Sequence, residues 1–185
     1  VSGARFTFIA MIILVLAWSM SDISRELHTA DFLIASLGNS LPAAALPAVI
    51  FVLAAFTAFS TGSSWGAMGI LLPLVLPLCW AIMGLEGLIA SQDYFILYAS
   101  VSGVLTGAVW GDHCSPISDT TVMSSLSAGC DHIEHVRTQL PYALLAGAAA
   151  LGFGTLPISF GLPWWVGMVG AATVTIIGLR VLGQK

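Results

Sequence analysis

The densest polar cluster of the sequence is "VWGDHCSPISDTTVMSS", Val109 to Ser125. It sets the carboxylates of Asp112 and Asp119 among the hydroxyls of Ser115, Ser118 and Thr120, with His113 next to the first acid. Carboxylate and hydroxyl oxygens are hard ligands, suited to Na+ rather than to zinc or copper. A second cluster, "TGSSWG", adds the hydroxyls of Thr61, Ser63 and Ser64 without any charge. Taken alone, that cluster reads equally well as a turn between helices. Two carboxylates also permit hydrolytic chemistry, with Asp112 and Asp119 as paired acid and base.

Which chemistry applies depends on the solvent around these residues. Of the 185 residues, 58% are hydrophobic and 8% charged, against about 25% charged in an ordinary soluble domain. Asp, Glu, Lys and Arg are absent from Phe32 to Leu85 and again from Thr138 to Leu179. A membrane helix needs roughly 20 apolar residues, so each run holds two passes, or one pass and a re-entrant hairpin. The fold class is therefore all-α and polytopic, in contact with membrane lipid. Nine acidic and five basic residues give a net charge of −4, with no basic patch for nucleic acid. Three scattered cysteines, Cys79, Cys114 and Cys130, form no CxxC pair and fit neither a disulfide framework nor a zinc ribbon.

The apolar segments fall in order along the chain. The first, from Phe6, has sixteen uncharged residues between Arg5 and Asp22. Asp22, with Arg25 and Glu26, reads as an interfacial helix end or as a proton-handling charge drawn into a transport path. Leu41 to Ser60 and Trp65 to Leu85 follow, the latter containing Pro73 and Pro77. Two prolines inside a helix kink or end it, which favours a hairpin of shortened helices. Tyr94 to Gly111 carries Ala99, Gly103, Gly107 and Gly111 at every fourth residue, a strip on which another backbone can pack closely. Gly111 then ends one half-helix and Pro116 prevents its continuation, so "GDHCSP" reads as a break within a membrane helix. Open backbone at that depth is tolerated where protein or a water-filled cavity satisfies it, and transporters bind ions at such breaks. Ser118-Asp119-Thr120 has the composition of a new helix start. "DHIEH" places His132 and His135 around Glu134 at neither zinc-protease spacing and reads as a solvated loop. Spans from Thr138 to Pro157 and from Pro163 to Leu179 close the chain.

Three blocks, "FSTGSSWGAMGILLPLVLPL", "GAVWGDHCSPISDTTVMSS" and "CDHIEHVRTQLPYAL", together resemble the C-terminal half of NhaC-type Na+/H+ antiporters. "LAWSMSDISRELHTADFL" is similar to that family's segment just upstream. The resemblance implies a transporter built from two inverted repeats, each with a re-entrant hairpin and a broken transmembrane helix. Residues 1–185 would then be one transmembrane transport domain, the C-terminal repeat of a chain roughly twice as long. Its partners would be Na+, H+ and the missing N-terminal half of the same chain, with a homodimer allowed. No cofactor is implied beyond the transported ions, and no enzymatic step. Thr61, Ser63 and Ser64 would line the hairpin tip. Asp112, Ser115, Ser118, Asp119 and Thr120 would form the broken-helix side, with Na+ at Asp112 and Asp119. His28 stands where a glycine is common in relatives, which questions the geometry of the upstream turn.

The implied function is a multi-pass Na+/H+ antiporter of the inner (cytoplasmic) membrane. Its rivals are an organic-anion antiporter of the malate or lactate type on the same scaffold, the hydrolase, and a structural subunit. A structural subunit leaves two intramembrane carboxylates unexplained. Helix dipoles disfavour a negative charge on Asp112, at a helix C-terminus, and favour one on Asp119, in a first turn. Na+ and H+ are therefore expected to compete chiefly for Asp112, with His113 in support. Positive charge collects on the cytoplasmic side, which places Arg137, Arg180 and Lys185 there. Cysteines substituted at these three positions, in a background without the native ones, should resist an impermeant thiol reagent in intact cells. Labelling from outside would invert the topology.

Overall fold

The computed structural model describes residues 41–182 and, upstream, residues 15, 19, 22, 23, 26–28, 32, 35 and 36. The first apolar segment therefore lies largely outside the described residues. At its far end His28 has φ 50°, a left-handed backbone that a glycine adopts more readily than histidine. Position 28 is thus one whose backbone favours glycine.

The charge-free runs are helical, as an apolar surrounding demands of a backbone that must bond to itself. A 3-10 turn at Ala43–Ala45 leads into α1 (Leu46–Thr61), which ends at Gly62 with φ 66°. The chain returns in α2 (Ser64–Leu85) and, after a polar connection, runs out again in α3 (Tyr94–Cys114). A short α4 (Asp119–Ala128) follows, then α5 (His132–Ala149). A π-helical stretch at Ala150–Thr155 continues α5 into α6 (Leu156–Ser159), and after a turn α7 (Trp164–Leu182) closes the described chain. Among the described residues there is no strand, and five stretches are long and apolar enough to cross a membrane. The protein is a polytopic all-α membrane protein.

Three expectations change in detail. Pro73 and Pro77 lie inside α2 without shortening it; unwinding the helix would strand more backbone groups in apolar surroundings than two prolines already do. The break falls between Cys114 and Asp119, three residues later than the Gly111 end that the sequence suggests. The 21 residues of α3 reach about 32 Å at 1.5 Å each, enough to cross without α4. Finally, "DHIEHVR" is not a loop but the first two turns of α5. Asp131 caps that helix by accepting from the amides of Ile133 (3.0 Å) and Glu134 (3.1 Å).

The helix strip of α3 decides the packing. A Cβ on Gly103 would lie 2.9 Å from the Pro47 carbonyl oxygen, and one on Gly107 or Gly111 would overlap the carbonyls of Phe51 or Ala55. Ser115 continues the row with its hydroxyl on the Phe59 carbonyl. Partners advance together along both chains, so α1 and α3 lie parallel, and α2 packs antiparallel between their ends. The core they share holds Leu46, Ile50, Cys79, Ile82, Met83 and Val104 at one end. Towards Gly62 it narrows to Ala54, Ala58, Ala67 and Ala108, drawing the three helices together there. At the wide end Glu86 accepts from the Ala43 amide at 2.8 Å and caps the entry into α1. The three cysteines are free thiols, Cys79 and Cys114 buried and Cys130 exposed.

Gly111→Val should lower the thermal stability of the purified protein in detergent, by about 1–3 kcal/mol of overpacking. The control is Gly84→Ala, where an added methyl meets nothing within 4 Å; it should be neutral or stabilising by up to about 1 kcal/mol. Equal melting of the two variants would refute the close contact.

Candidate ion-binding site at the helix break

The two polar clusters meet. A Cβ on Gly62, at the α1–α2 turn, would sit 2.9 Å from the Ile117 carbonyl oxygen in the α3–α4 connection. Only a residue without a side chain allows that approach, and its φ of 66° suits glycine as well. Ser115 ties the same two segments: its hydroxyl donates to the Phe59 carbonyl at 2.8 Å and accepts from the Ile117 amide at 3.4 Å. The Phe59 carbonyl belongs to the last turn of α1, whose carbonyls have no partner within the helix.

Asp112 lies in the last turn of α3, 6% exposed. Ser118 donates to its Oδ1 at 2.8 Å, and Thr120 donates to its Oδ2 at 2.8 Å. The same Ser118 oxygen caps α4 by accepting from the Thr120 amide at 3.2 Å, as serine at that position commonly does. The Ser118 and Thr120 hydroxyl oxygens are themselves 2.7 Å apart. This triangle has three short O···O contacts, and its two hydroxyls supply two hydrogens. With Asp112 ionised, both are spent on the carboxylate and the third contact sets lone pairs against each other. A proton on Asp112 closes the ring: the acid donates to Thr120, Thr120 to Ser118, and Ser118 back to Asp112. A small cation against the same oxygens would likewise offset the missing positive charge. Among the described residues no three His, Cys, Asp or Glu side chains converge, so an incoming cation meets a carboxylate and hydroxyls.

The other anticipated residues occupy different places. Asp119 is the first residue of α4 and exposed, and its carboxylate makes no hydrogen bond to any described residue. It does not join the Asp112 ring, and the two acids share no bonding partner of the kind a paired acid and base would use. The exposed His113 contributes its carbonyl, which accepts from Thr121 at 3.4 Å and from the Gln139 amide. Thr61 turns its hydroxyl back to the Thr57 carbonyl at 2.8 Å, and Ser63 caps α2 through the Gly66 amide at 3.2 Å. Ser64 opens α2, half-buried, and Asp22 is exposed in the upstream stretch.

Two contributors escaped the sequence reading. Gln139 reaches the break from α5, and His132 places Nε2 2.6 Å from the Pro116 carbonyl oxygen and Nδ1 3.1 Å from the Ser125 hydroxyl. A signal for His132 was present, since Asp131 and Glu134 have the spacing of a capping box, which marks a helix start. On the other side of α3, the Trp110 indole donates to the Ala143 carbonyl at 2.7 Å and holds α5 alongside. A cavity of about 390 Å³ between α1, α3 and α5 is lined by Phe51, Phe59, Trp110, Leu140 and similar side chains. It offers a cation nothing.

Comparison with known proteins gives the family. The family described as the Na+/H+ antiporter family matches residues 1–158. The chain belongs to the Na+/H+ antiporter family. An uncharacterized protein of Haemophilus influenzae is 39% identical over 91% of this chain and 30% of its own length. An uncharacterized Na+/H+ antiporter of the same organism is 36% identical over 55% of this chain and 20% of its own length. The malate-2H+/Na+-lactate antiporter of Bacillus subtilis is 30% identical over 48% of this chain and 17% of its own length. The chain thus spans under a third of the length of these relatives. No solved structure gives a significant match.

The hydrogen count makes a prediction specific to this family member. Asn at position 112 donates from its amide to Thr120 and accepts from Ser118, closing the ring without a titratable proton. Asp112→Asn should therefore melt at or above the wild-type temperature. Asp112→Ala strands both hydroxyls and should lose about 1–3 kcal/mol. If both variants melt alike, the ring contributes nothing.

Proposed function

We propose that this chain forms part of a secondary antiporter that exchanges Na+ for H+ in the cytoplasmic membrane, with Asp112 as the exchanging group. The observation that carries the reading is the Asp112–Ser118–Thr120 triangle, one positive charge short when its carboxylate is ionised. A proton or a Na+ ion can supply that charge, and the two compete for the same oxygens. Competition at one buried carboxylate, which opens to each face in turn, is sufficient for exchange and requires no covalent step. Since the chain spans 30% or less of its relatives' length, the activity is proposed for the longer protein containing it. The remaining sequence would supply further ligands and the element against which this domain moves.

The relative named as a malate-2H+/Na+-lactate antiporter favours a second reading, in which an organic anion travels with the ions. An anion wants a cationic side chain or a helix N-terminus. Among the described residues the arginines, Arg137 and Arg180, are exposed, and Arg137 pairs with Glu134 at 3.7 Å.

The test is proton and Na+ flux in proteoliposomes containing the full-length protein, with and without malate or lactate. Wild-type protein should release protons on Na+ addition without any organic anion. Asp112→Asn should reduce that release to background, and Asp112→Glu should retain part of it with a displaced pH profile. Asp119→Asn should raise half-saturating Na+ by only about twofold to fivefold, as befits an exposed charge. Flux that requires the anion would establish the second reading. An active Asp112→Asn beside an inactive Asp119→Asn would move the exchanging group to Asp119.

A further inference from the structure

We propose that His132, the first residue of α5, is a positioning residue for the ion site, acting through the Pro116 carbonyl. Within a continuous helix the Pro116 carbonyl would accept the Thr120 amide, four residues on. Here that amide is taken by the Ser118 hydroxyl at 3.2 Å, which leaves the carbonyl in need of a donor. His132 Nε2 lies 2.6 Å from it. A carbonyl only accepts, so Nε2 carries the hydrogen and donates it. The other ring nitrogen faces Ser125, nearly two turns into α4, at 3.1 Å. One imidazole thus braces the connection before α4 against the body of α4.

The local sequence fixes the ring for this task. Gly129 ends α4 at φ 64°, and the Cys130 amide donates back to the Ser125 carbonyl at 3.2 Å. Asp131 then caps α5 at once, so the reversal is tight and the first side chain of α5 falls back over α4. His132 is half-buried, while Ile133 and Glu134 beside it are exposed. Pro116 stands two residues before Ser118 and four before Thr120. The angle at which those hydroxyls meet Asp112 therefore follows from where the Pro116 carbonyl is held. His132 does not touch Asp112; it sets the geometry of the groups that do.

The bond to Pro116 stands by itself, whereas its consequence for transport rests on the Na+/H+ reading above. Two measurements on the full-length protein keep them apart. The first is amide hydrogen exchange of the segment from Cys114 to Thr121 in nanodiscs, which needs no transport. His132→Ala should accelerate it by roughly threefold to tenfold, the loss of one hydrogen bond. His132→Gln, whose amide nitrogen can occupy the Nε2 position, should stay within about twofold of wild type. His132→Asn, too short to reach Pro116, should behave as alanine does. The second is Na+-driven proton flux. His132→Ala should raise half-saturating Na+ roughly threefold to tenfold and change the maximal rate by less than about twofold, with recovery in His132→Gln. Unaltered exchange in His132→Ala, or a glutamine variant as impaired as alanine, would overturn the proposal. Altered exchange with unaltered Na+ dependence would reduce His132 to a fold-stabilising role and overturn it too. Absence of Na+-driven flux in wild type would instead sink the Na+/H+ reading and leave the exchange result standing.

Discussion

Backbone groups freed where a helix stops inside an apolar bundle must find partners, and the α3–α4 connection shows how far that requirement reaches. The Asp112 carbonyl takes the Ser115 amide, and the His113 carbonyl is shared by Thr121 and Gln139. The Pro116 carbonyl is met by His132, while Ser118 satisfies the Thr120 amide. Ser115 meanwhile serves α1 as well as its own turn. Partners therefore come from α1, α4 and α5, and those helices are tied to one another through a connection of four residues. An unsatisfied buried group costs about 1–3 kcal/mol, enough to outweigh a single side chain's preference for another arrangement. The proposed ion site is built from what remains: a carboxylate and two hydroxyls, one of them already serving as a helix cap.

The apolar packing has the complementary task of bringing the polar segments to one place. Large side chains fill the end of the α1–α2–α3 bundle near Glu86, and alanines fill the end near Gly62. The taper lets the α1–α2 turn lie directly on the α3–α4 connection, with glycine at the point of contact. The alanine end buries little area per residue, so its contribution is positional more than energetic.

Much of this was legible in the amino-acid order because the signals are local. Charge-free runs marked the helices, glycine and proline marked the break, and spacing by fours marked the face of α3 that meets another backbone. The misreadings have separate causes. Pro73 and Pro77 carry a helix-breaking signal that holds in water and weakens in an apolar phase. His132 read as a loop residue although Asp131 and Glu134 carry the capping-box signal of a helix start; its partner, sixteen residues earlier in the chain, lies beyond any periodicity. That Asp119 is exposed while Asp112 is buried is a fact of three-dimensional placement. Dipole reasoning treats both acids as helix-end charges and is blind to which is covered.

The fixed register between α1 and α3 has a mechanical consequence. Four successive contacts join residues of the same separation, from Gly103 on Pro47 to Ser115 on Phe59. Sliding one helix by a single residue shifts it about 1.5 Å and turns its glycine face by about 100°, driving side chains into backbone. The pair is stiff to shear, with no neighbouring register to fall into. In any movement of the longer protein the two helices travel as one strut, and compliance belongs to segments without that lock.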